Sequence, residues 1–166
     1  MTVQVIAHRG SSEDVAEHTM AAYRKAVDDG ADALECDVRL TADGHLVCVH
    51  DRRVDRVSNG RGVVSTLELA DLAELDFAAW KDDWSDFEDP EEPDEDRNRV
   101  LTLERLLELV ADAGRSLDLA IETKHPTRYA GLVERRLVEL LHRFGWAHPR
   151  LGTRSPVRVM SFSSLS

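Results

Sequence analysis

Four short apolar runs alternate with helical segments along this chain, and this alternation constrains the fold more than any other feature. The runs have the length and composition of β-strands and cover Val3–His8, Ala33–Leu40, Leu117–Lys124 and Val157–Phe162. Thr19 and Thr102 stand at the expected N-caps of two intervening helices, which Gly30 and Gly114 would end. A further helix is predicted over Tyr129–Phe144. Because strands that alternate with helices form parallel sheets, we predict an α/β fold with helices packed outside the sheet.

One further strand interrupts the alternation. The run HLVCVH (45–50) follows the second strand across Asp43 and Gly44, a pair that favours a tight hairpin. Parallel strands need a crossover of a dozen or more residues, so this strand is predicted to run antiparallel to its predecessor. A turn centred on Asp43 and Gly44 would set His50 opposite Asp37.

Charge excludes one class of partner. The 166 residues carry 32 acidic and 21 basic side chains, for a net charge of −11, which argues against binding to a nucleic-acid backbone. Ten of the acidic residues lie in 82–96, which holds no basic residue and two prolines. We predict a solvated acidic loop there, and a segment that binds a partner or collects ions is the alternative. The length is typical of one domain, so a single domain is predicted over 1–166.

The sequence also carries information on compartment. No apolar run reaches the ~20 residues that span a bilayer, and the first residues, MTVQVIAHRG, lack the pattern of a signal peptide. We therefore expect a cytoplasmic protein without a membrane span. The hairpin register predicted above places Cys36 and Cys48 on opposite faces, so we expect free thiols, as in a reducing compartment.

Acidic side chains interrupt two of the apolar strands. Glu35 and Asp37 are two residues apart, so both point to one face of their strand, and Glu122 lies similarly on a later strand beside Lys124. Clustered buried carboxylates are costly unless a cation compensates them, and hard divalent ions prefer oxygen ligands. We predict that these three acids bind Mg²⁺ or Ca²⁺. The alternative is that some of them pair with Arg39, Lys124 or solvent.

Two histidines complete a candidate site. His8 and Arg9 end the first strand, at the sheet edge where parallel α/β folds place their ligands. His50 ends the hairpin strand. Imidazole groups titrate near neutrality, so His8 and His50 could transfer protons beside the carboxylates. A structural role for an isolated histidine is the alternative.

The motifs IAHRG, EHT, GADALECDVRLTADGHLVCVHD and IETK resemble those of the glycerophosphodiester phosphodiesterase family. The resemblance covers residues 5–67 and 117–125, together with VRVMSF at 157–162. It implies a TIM barrel, (β/α)₈, and metal-dependent cleavage of a small-molecule glycerophosphodiester to sn-glycerol 3-phosphate and an alcohol, in glycerophospholipid metabolism.

The resemblance also implies roles for individual residues. They are metal ligation by Glu35, Asp37 and Glu122, acid and base catalysis by His8 and His50, phosphate binding by Arg9 and Lys124, and supporting roles for Glu17 and Asp51.

Two departures from the family pattern stand out. The usual Pro-Glu-Asn-Thr reads Ala16-Glu17-His18-Thr19 here, which replaces the asparagine. A complete barrel takes ~250 residues, so this chain is predicted to hold about four barrel strands, with an insertion at about 41–100 that contains the acidic loop. The domain would then be incomplete and have an open sheet edge.

Three other functions stay open at this point. A lysophospholipase D or sphingomyelinase D-like enzyme would share the metal and histidine arrangement but differ in the headgroup and lipid pocket. A non-catalytic half-barrel could bind an ion. It could also self-associate through its open edge.

Overall fold

The computed structural model describes residues 3–81, 95–125, 131–148 and 154–162. Its strands are β1 (Ile6–His8), β2 (Ala33–Leu40), β3 (Leu46–Cys48), β4 (Asp118–Thr123) and β5 (Val157–Met160). Its α-helices are α1 (Met20–Asp28), α2 (Leu69–Ala73), α3 (Glu95–Asn98), α4 (Leu103–Ala111) and α5 (Leu132–Arg143), and a 3₁₀ turn covers Val64–Thr66.

The sheet confirms the predicted parallel architecture. Strands β1, β2, β4 and β5 lie side by side in that order, and neighbours run parallel. β3 pairs antiparallel with β2, as the hairpin prediction requires. β2 has the predicted bounds, whereas β1 begins at Ile6 rather than Val3, whose side chain is 91% exposed. The described residues thus form four parallel barrel strands with one antiparallel hairpin arm.

Two threonines cap the helices that pack on this sheet. The Oγ1 atom of Thr19 accepts a hydrogen bond from the Ala22 amide at 3.2 Å, and Thr102 does the same for Arg105 at 3.4 Å. These bonds satisfy amides that the first helical turn leaves without a partner. Both predicted caps are confirmed.

The main core lies between the sheet and helices α1, α4 and α5. Its residues on β2 and β4 include an alternating series: Leu34, Cys36, Val38, Leu40, Leu119 and Ile121. Apolar side chains at helical spacing on α4 and α5 cover this face. The opposite face of β2 and β4 is therefore left for Glu35, Asp37 and Glu122.

A second, smaller core lies beneath the segment that follows β3. Its buried residues are Val47, Val49, Val54, Val57, Val64, Leu72, Phe77 and Val100. This segment therefore holds its shape through its own apolar contacts, beside the strand edge that carries the acids.

The register of the hairpin differs from the prediction by one residue. Val38 pairs with Cys48 and Leu40 with Leu46, so His50 does not lie opposite Asp37. The turn has three residues rather than two, because the Thr41 amide donates to the His45 carbonyl at 2.9 Å and Gly44 adopts φ +88°. A type I turn followed by a left-handed residue is a common three-residue hairpin loop.

This shift corrects the placement of the cysteines. A slip of one residue moves every side chain of a strand to the other face. Cys36 and Cys48 therefore lie on the same face, and both are buried in the main core. Both are free thiols, as predicted.

The end of the acidic stretch also differs from the prediction. Residues 82–94 lie outside the described residues, but Asp96 belongs to α3 rather than to a loop. Its carboxylate pairs with Arg24 and with Arg105, the latter at 2.7 Å. These ion pairs connect Asp96, at the end of the acidic stretch, to helices α1 and α4.

Within the described ranges, no helix combines the length and the apolar character that a bilayer crossing needs.

Candidate active site

Three carboxylates meet on one face of two neighbouring strands. Asp37 of β2 pairs in register with Glu122 of β4, and Glu35 lies two residues before Asp37 on the same face. One oxygen from each of the three side chains lies within 4.8 Å of the others. The residues are only 6%, 1% and 7% exposed for Glu35, Asp37 and Glu122. The structure thus brings the three predicted metal ligands together in a buried cluster.

Two cations already contact this cluster. Lys124 Nζ lies 2.9 Å from Asp37 Oδ1 and 2.7 Å from Glu122 Oε1. Arg9 Nε lies 3.2 Å from Asp37 Oδ2. The alternative considered above, pairing of the acids with Lys124, is therefore observed for two of the three. Two cations against three carboxylates still leave an excess of negative charge.

The environment of Glu35 changes the pKa of its carboxyl group. Its Oε2 accepts a hydrogen bond from the Arg9 amide at 3.1 Å. Burial, followed by the charge of Asp37, raises the pKa of Glu35 to about 7. Asp37 behaves differently: burial acts to raise its pKa, but hydrogen bonds from His18 and Lys124 hold the pKa well below its usual value.

The cluster has the chemistry of a site for a hard divalent cation. Mg²⁺ and Ca²⁺ prefer carboxylate oxygens, and here three such groups share one small region with more negative than positive charge. The raised pKa of Glu35 means that its charged form is unfavourable in this environment. A nearby dication would stabilise that charged form. The residues present therefore fit the cation that the family resemblance implies.

The turn after β1 aims Arg9 into the cluster. Arg9 and Gly10 both adopt left-handed backbone conformations, with φ of 62° and 81°. This conformation is unfavourable for a residue with a Cβ, so the surrounding contacts must hold Arg9 there. Arg9 NH1 also lies 3.3 Å from Glu17 Oε1. His8, just before it, is more exposed, with Nε2 3.8 Å from Glu35 Oε2.

The partner of His50 is a different carboxylate from the one predicted. Its Nδ1 lies 2.7 Å from Asp51 Oδ1. Its carbonyl accepts two hydrogen bonds from the Arg39 guanidinium, at 3.1 and 2.8 Å. The predicted pairing of His50 with Asp37 is wrong because the hairpin register is shifted. Val49 lies opposite Asp37 instead, and its amide donates to the backbone carbonyl of Asp37 at 3.0 Å.

His18 is a site residue that the sequence did not identify as one. It stands where the family pattern has asparagine, and it is buried at 5% exposure. Its Nε2 lies 3.0 Å from Asp37 Oδ2 and its Nδ1 lies 2.7 Å from the Tyr23 hydroxyl, which is also 3.0 Å from the Glu35 carbonyl. Burial lowers the pKa of His18. Because a carboxylate only accepts, Nε2 is the donor in the contact with Asp37.

Arg56 is the second residue that sequence reasoning missed. Its Nε lies 2.7 Å from Asp51 Oδ2 and its NH2 lies 2.8 Å from Glu17 Oε1. The hydrogen bond from Arg56 is the largest cause that lowers the pKa of Asp51, to about 2. Sequence alone could not single out Arg56, because it stands among several arginines on a segment without a motif.

The fold and the cluster together define half of a parallel α/β barrel with an acidic site at the carboxyl ends of its strands. Residues 8–165 match the model of the Glycerophosphoryl diester phosphodiesterase family, and the chain belongs to that family.

Relatives with similar sequences carry related names. The chain is 54% identical over 160 residues to "Probable glycerophosphodiester phosphodiesterase 1" of Mycobacterium tuberculosis strain H37Rv, a match covering 96% of this chain and 57% of that protein. It is 34% identical over 165 residues to "Glycerophosphodiester phosphodiesterase" of Bacillus subtilis, covering 99% and 54%. The chain thus spans little more than half the length of these relatives.

Solved structures show the same fold. A phosphodiesterase from Oleispira antarctica, in complex with the product sn-glycerol-3-phosphate, superposes with a TM-score of 0.76 at 28% identity, over 98% of this chain and 59% of that one. A glycerophosphodiester phosphodiesterase from Agrobacterium tumefaciens gives a TM-score of 0.75 at 28% identity, over the same shares. The chain therefore has the architecture of part of the TIM-barrel domain of these enzymes.

Proposed function

We propose that this protein hydrolyses glycerophosphodiesters to sn-glycerol 3-phosphate and an alcohol, with a divalent cation, Mg²⁺ or Ca²⁺, held by Glu35, Asp37 and Glu122. The observation that carries this proposal is the convergence of those three buried carboxylates within 4.8 Å of one another. Membership of the family and the product named for the Oleispira antarctica structure support the substrate class. A role in glycerophospholipid metabolism in the cytoplasm and a single-domain organisation stay predictions.

The cationic side chains would bind the substrate's phosphate. Arg9 and Lys124 both lie against Asp37, so their charges face the region where the phosphodiester would bind. As negative charge builds on the phosphoryl oxygens, these two cations would offset it, which is commonly the largest contribution to catalysis of this kind. When bound, the divalent cation would act as a Lewis acid on the same oxygens.

The two histidines would move the protons. One would take a proton from the nucleophile, which is either water or the substrate's own glycerol hydroxyl. The other would protonate the departing alkoxide. His8 lies at the end of β1 beside Glu35, and His50 is oriented by Asp51. Acid and base catalysis of this type contributes roughly 10²- to 10⁴-fold in rate.

The test combines cation binding with turnover. Titration of the purified chain with Mg²⁺ or Ca²⁺ by calorimetry measures affinity, and glycerol 3-phosphate released from glycerophosphocholine measures activity. We expect Glu122→Gln to lose both. Glu139→Gln, an exposed residue on α5 that pairs with Arg136, is the matched control and should lose neither.

Each result has a defined meaning. Turnover that persists in Glu122→Gln or in His8→Ala would contradict the assigned roles. Cation binding without release of glycerol 3-phosphate would contradict hydrolysis of this substrate and leave an ion-binding half-barrel. Release of choline from lysophosphatidylcholine or sphingomyelin, with no glycerol 3-phosphate from glycerophosphocholine, would favour the lysophospholipase D or sphingomyelinase D-like alternative.

We also propose that the chain self-associates through its sheet edges, with a second copy as the partner. Ile6 on β1 and Val159 and Met160 on β5 are exposed, and among the described strands β1 and β5 each have one neighbour. Edge strands with apolar side chains pair readily with other strands. Light scattering after size exclusion should give a dimer that Val159→Lys disrupts and Val138→Lys, on α5, does not. A monomer at all concentrations would contradict this proposal.

A further inference from the structure

Arg56 joins two carboxylates that belong to different parts of the site. Its Nε donates to Asp51 Oδ2 at 2.7 Å, while NH1 and NH2 donate to the two oxygens of Glu17 at 3.0 and 2.8 Å. The planar guanidinium holds three donors in a fixed relation, so the positions of both carboxylates are set by one rigid group.

Each of these carboxylates in turn contacts a residue of the proposed machinery. The other carboxylate oxygen of Asp51, Oδ1, lies 2.7 Å from Nδ1 of His50. Glu17 Oε1 lies 3.3 Å from NH1 of Arg9, whose Nε reaches Asp37. A continuous series of hydrogen bonds and ion pairs therefore runs from His50 through Asp51, Arg56 and Glu17 to Arg9.

Among the contacts of the described residues, the His50 ring has one hydrogen-bond partner, Asp51. Its backbone is held separately, because Arg39 donates two hydrogen bonds to the His50 carbonyl. The Nδ1 contact with Asp51 fixes the rotation of the ring and places the ring proton on Nδ1, since a carboxylate only accepts. Nε2 is then the atom left to exchange protons with a substrate.

The segment around Arg56 is also held by contacts that do not involve the Arg56 side chain. Val54 and Val57 on either side are buried in the second core. The Val54 amide donates to the Gly62 carbonyl at 3.0 Å, and the Val64 amide donates to the Arg52 carbonyl at 3.1 Å. Arg56 itself is 44% exposed, so its removal leaves no apolar cavity.

We infer that Arg56 is a positioning residue, which fixes the Asp51 and Glu17 carboxylates through one guanidinium and thereby orients the His50 ring and the Arg9 guanidinium. This inference rests on the proposed function for the roles of His50 and Arg9. The arrangement of side chains that it describes can be measured without turnover.

The experiment compares three variants of the whole chain. Arg56→Met removes the charge, and Arg56→Lys keeps the charge but loses the forked donors. Arg53→Met is the matched control, because Arg53 lies on the same segment and pairs only locally among the described contacts, with Asp55 at 2.7 Å. The first readout is the Nδ1–H proton resonance of His50 in NMR spectra, assigned with a His50→Gln variant. The second is kcat and KM on glycerophosphocholine.

We expect both Arg56 variants to lose the His50 Nδ1–H resonance and the kcat to fall roughly 10- to 100-fold, as is usual when a group that orients a functional residue is removed. Arg53→Met should keep both. A His50 resonance that persists in Arg56→Met, or returns fully in Arg56→Lys, would overturn the inference. If the unmodified chain shows no turnover, the proposed function fails, and the resonance still decides the role of Arg56.

Discussion

Nε2 of His18 lies 3.0 Å from Oδ2 of Asp37, so one buried residue holds another at the centre of the acidic cluster. The ring spans the space between Asp37 and the Tyr23 hydroxyl. The Tyr23 hydroxyl also donates to the backbone carbonyl of Glu35 at 3.0 Å, so helix α1 contacts β2 directly at Glu35 and reaches Asp37 through His18. The chemistry of the site is therefore tied to the packing of the first helix on the sheet.

His18→Leu should destabilise the protein. The substitution removes the two buried hydrogen bonds that His18 makes with Asp37 and Tyr23. A hydrogen bond to a charged group contributes about 1.5–3 kcal/mol. We expect the free energy of unfolding, from urea titration, to fall by about 2 kcal/mol or more. His18→Asn is the matched variant, because asparagine tolerates the φ of 61° at this position and retains an amide donor. An equal loss of unfolding free energy in His18→Asn and His18→Leu would contradict this account.

Gly10→Ala should lower the free energy of unfolding by more than the same substitution at another left-handed glycine, Gly114. A Cβ at Gly10 would lie 2.8 Å from the backbone carbon of Ala22, and the φ of 81° is itself unfavourable for alanine. Gly114→Ala has the same conformational penalty at φ 66° but meets nothing within 4 Å. We expect about 1–2 kcal/mol for Gly114→Ala, from the left-handed conformation alone, and a larger loss for Gly10→Ala. Equal losses in thermal or urea unfolding would show that the close approach to α1 is unimportant.

Asp51 should make stability depend on pH in acid. The hydrogen bond from Arg56 lowers the pKa of Asp51 from 3.8 to about 2 in the folded protein. A carboxyl with a depressed folded pKa contributes stability that is present above its unfolded value and is lost as pH falls toward the folded value. The advantage of the unmodified chain over Asp51→Asn should therefore shrink between pH 4 and pH 2.

Urea unfolding at pH 5, 4, 3 and 2.5 measures this effect. Asp112→Asn, which removes an exposed carboxylate at the end of α4, serves as the comparison. A difference between the unmodified chain and Asp51→Asn that stays constant across this range would contradict the pairing with Arg56.

Leu107→Ala should test the helix that covers the main core. Leu107 on α4 is fully buried, at 0% exposure. Truncation of a buried leucine to alanine costs roughly 2–5 kcal/mol, because apolar contacts are lost and a cavity remains. Val138→Ala, on α5 and half exposed, should change the free energy of unfolding by less than about 1 kcal/mol. A small effect at Leu107 would mean that α4 does not pack as described.

Local signals in the sequence predicted the elements of the sheet well. The bounds of β2, the caps at Thr19 and Thr102 and the antiparallel hairpin depend on neighbours within a few residues, where alternation, capping and turn propensities act. The meeting of Glu35, Asp37 and Glu122 was also predictable. Acids at alternate positions of neighbouring parallel strands share a face whenever those strands pair in register.

The tertiary structure decided the partners of those residues. The hairpin turn took three residues rather than two, which moved His50 away from Asp37 and brought Cys36 and Cys48 to one face. A single residue of turn geometry has this effect because the side-chain period of a strand is two. His18 and Arg56 were identified as site residues only through long-range contacts, those of His18 with Asp37 and of Arg56 with Glu17. The sequence determined which groups the site contains, and packing determined which of them touch, because hydrogen bonds and ion pairs depend on distances that chain order does not encode.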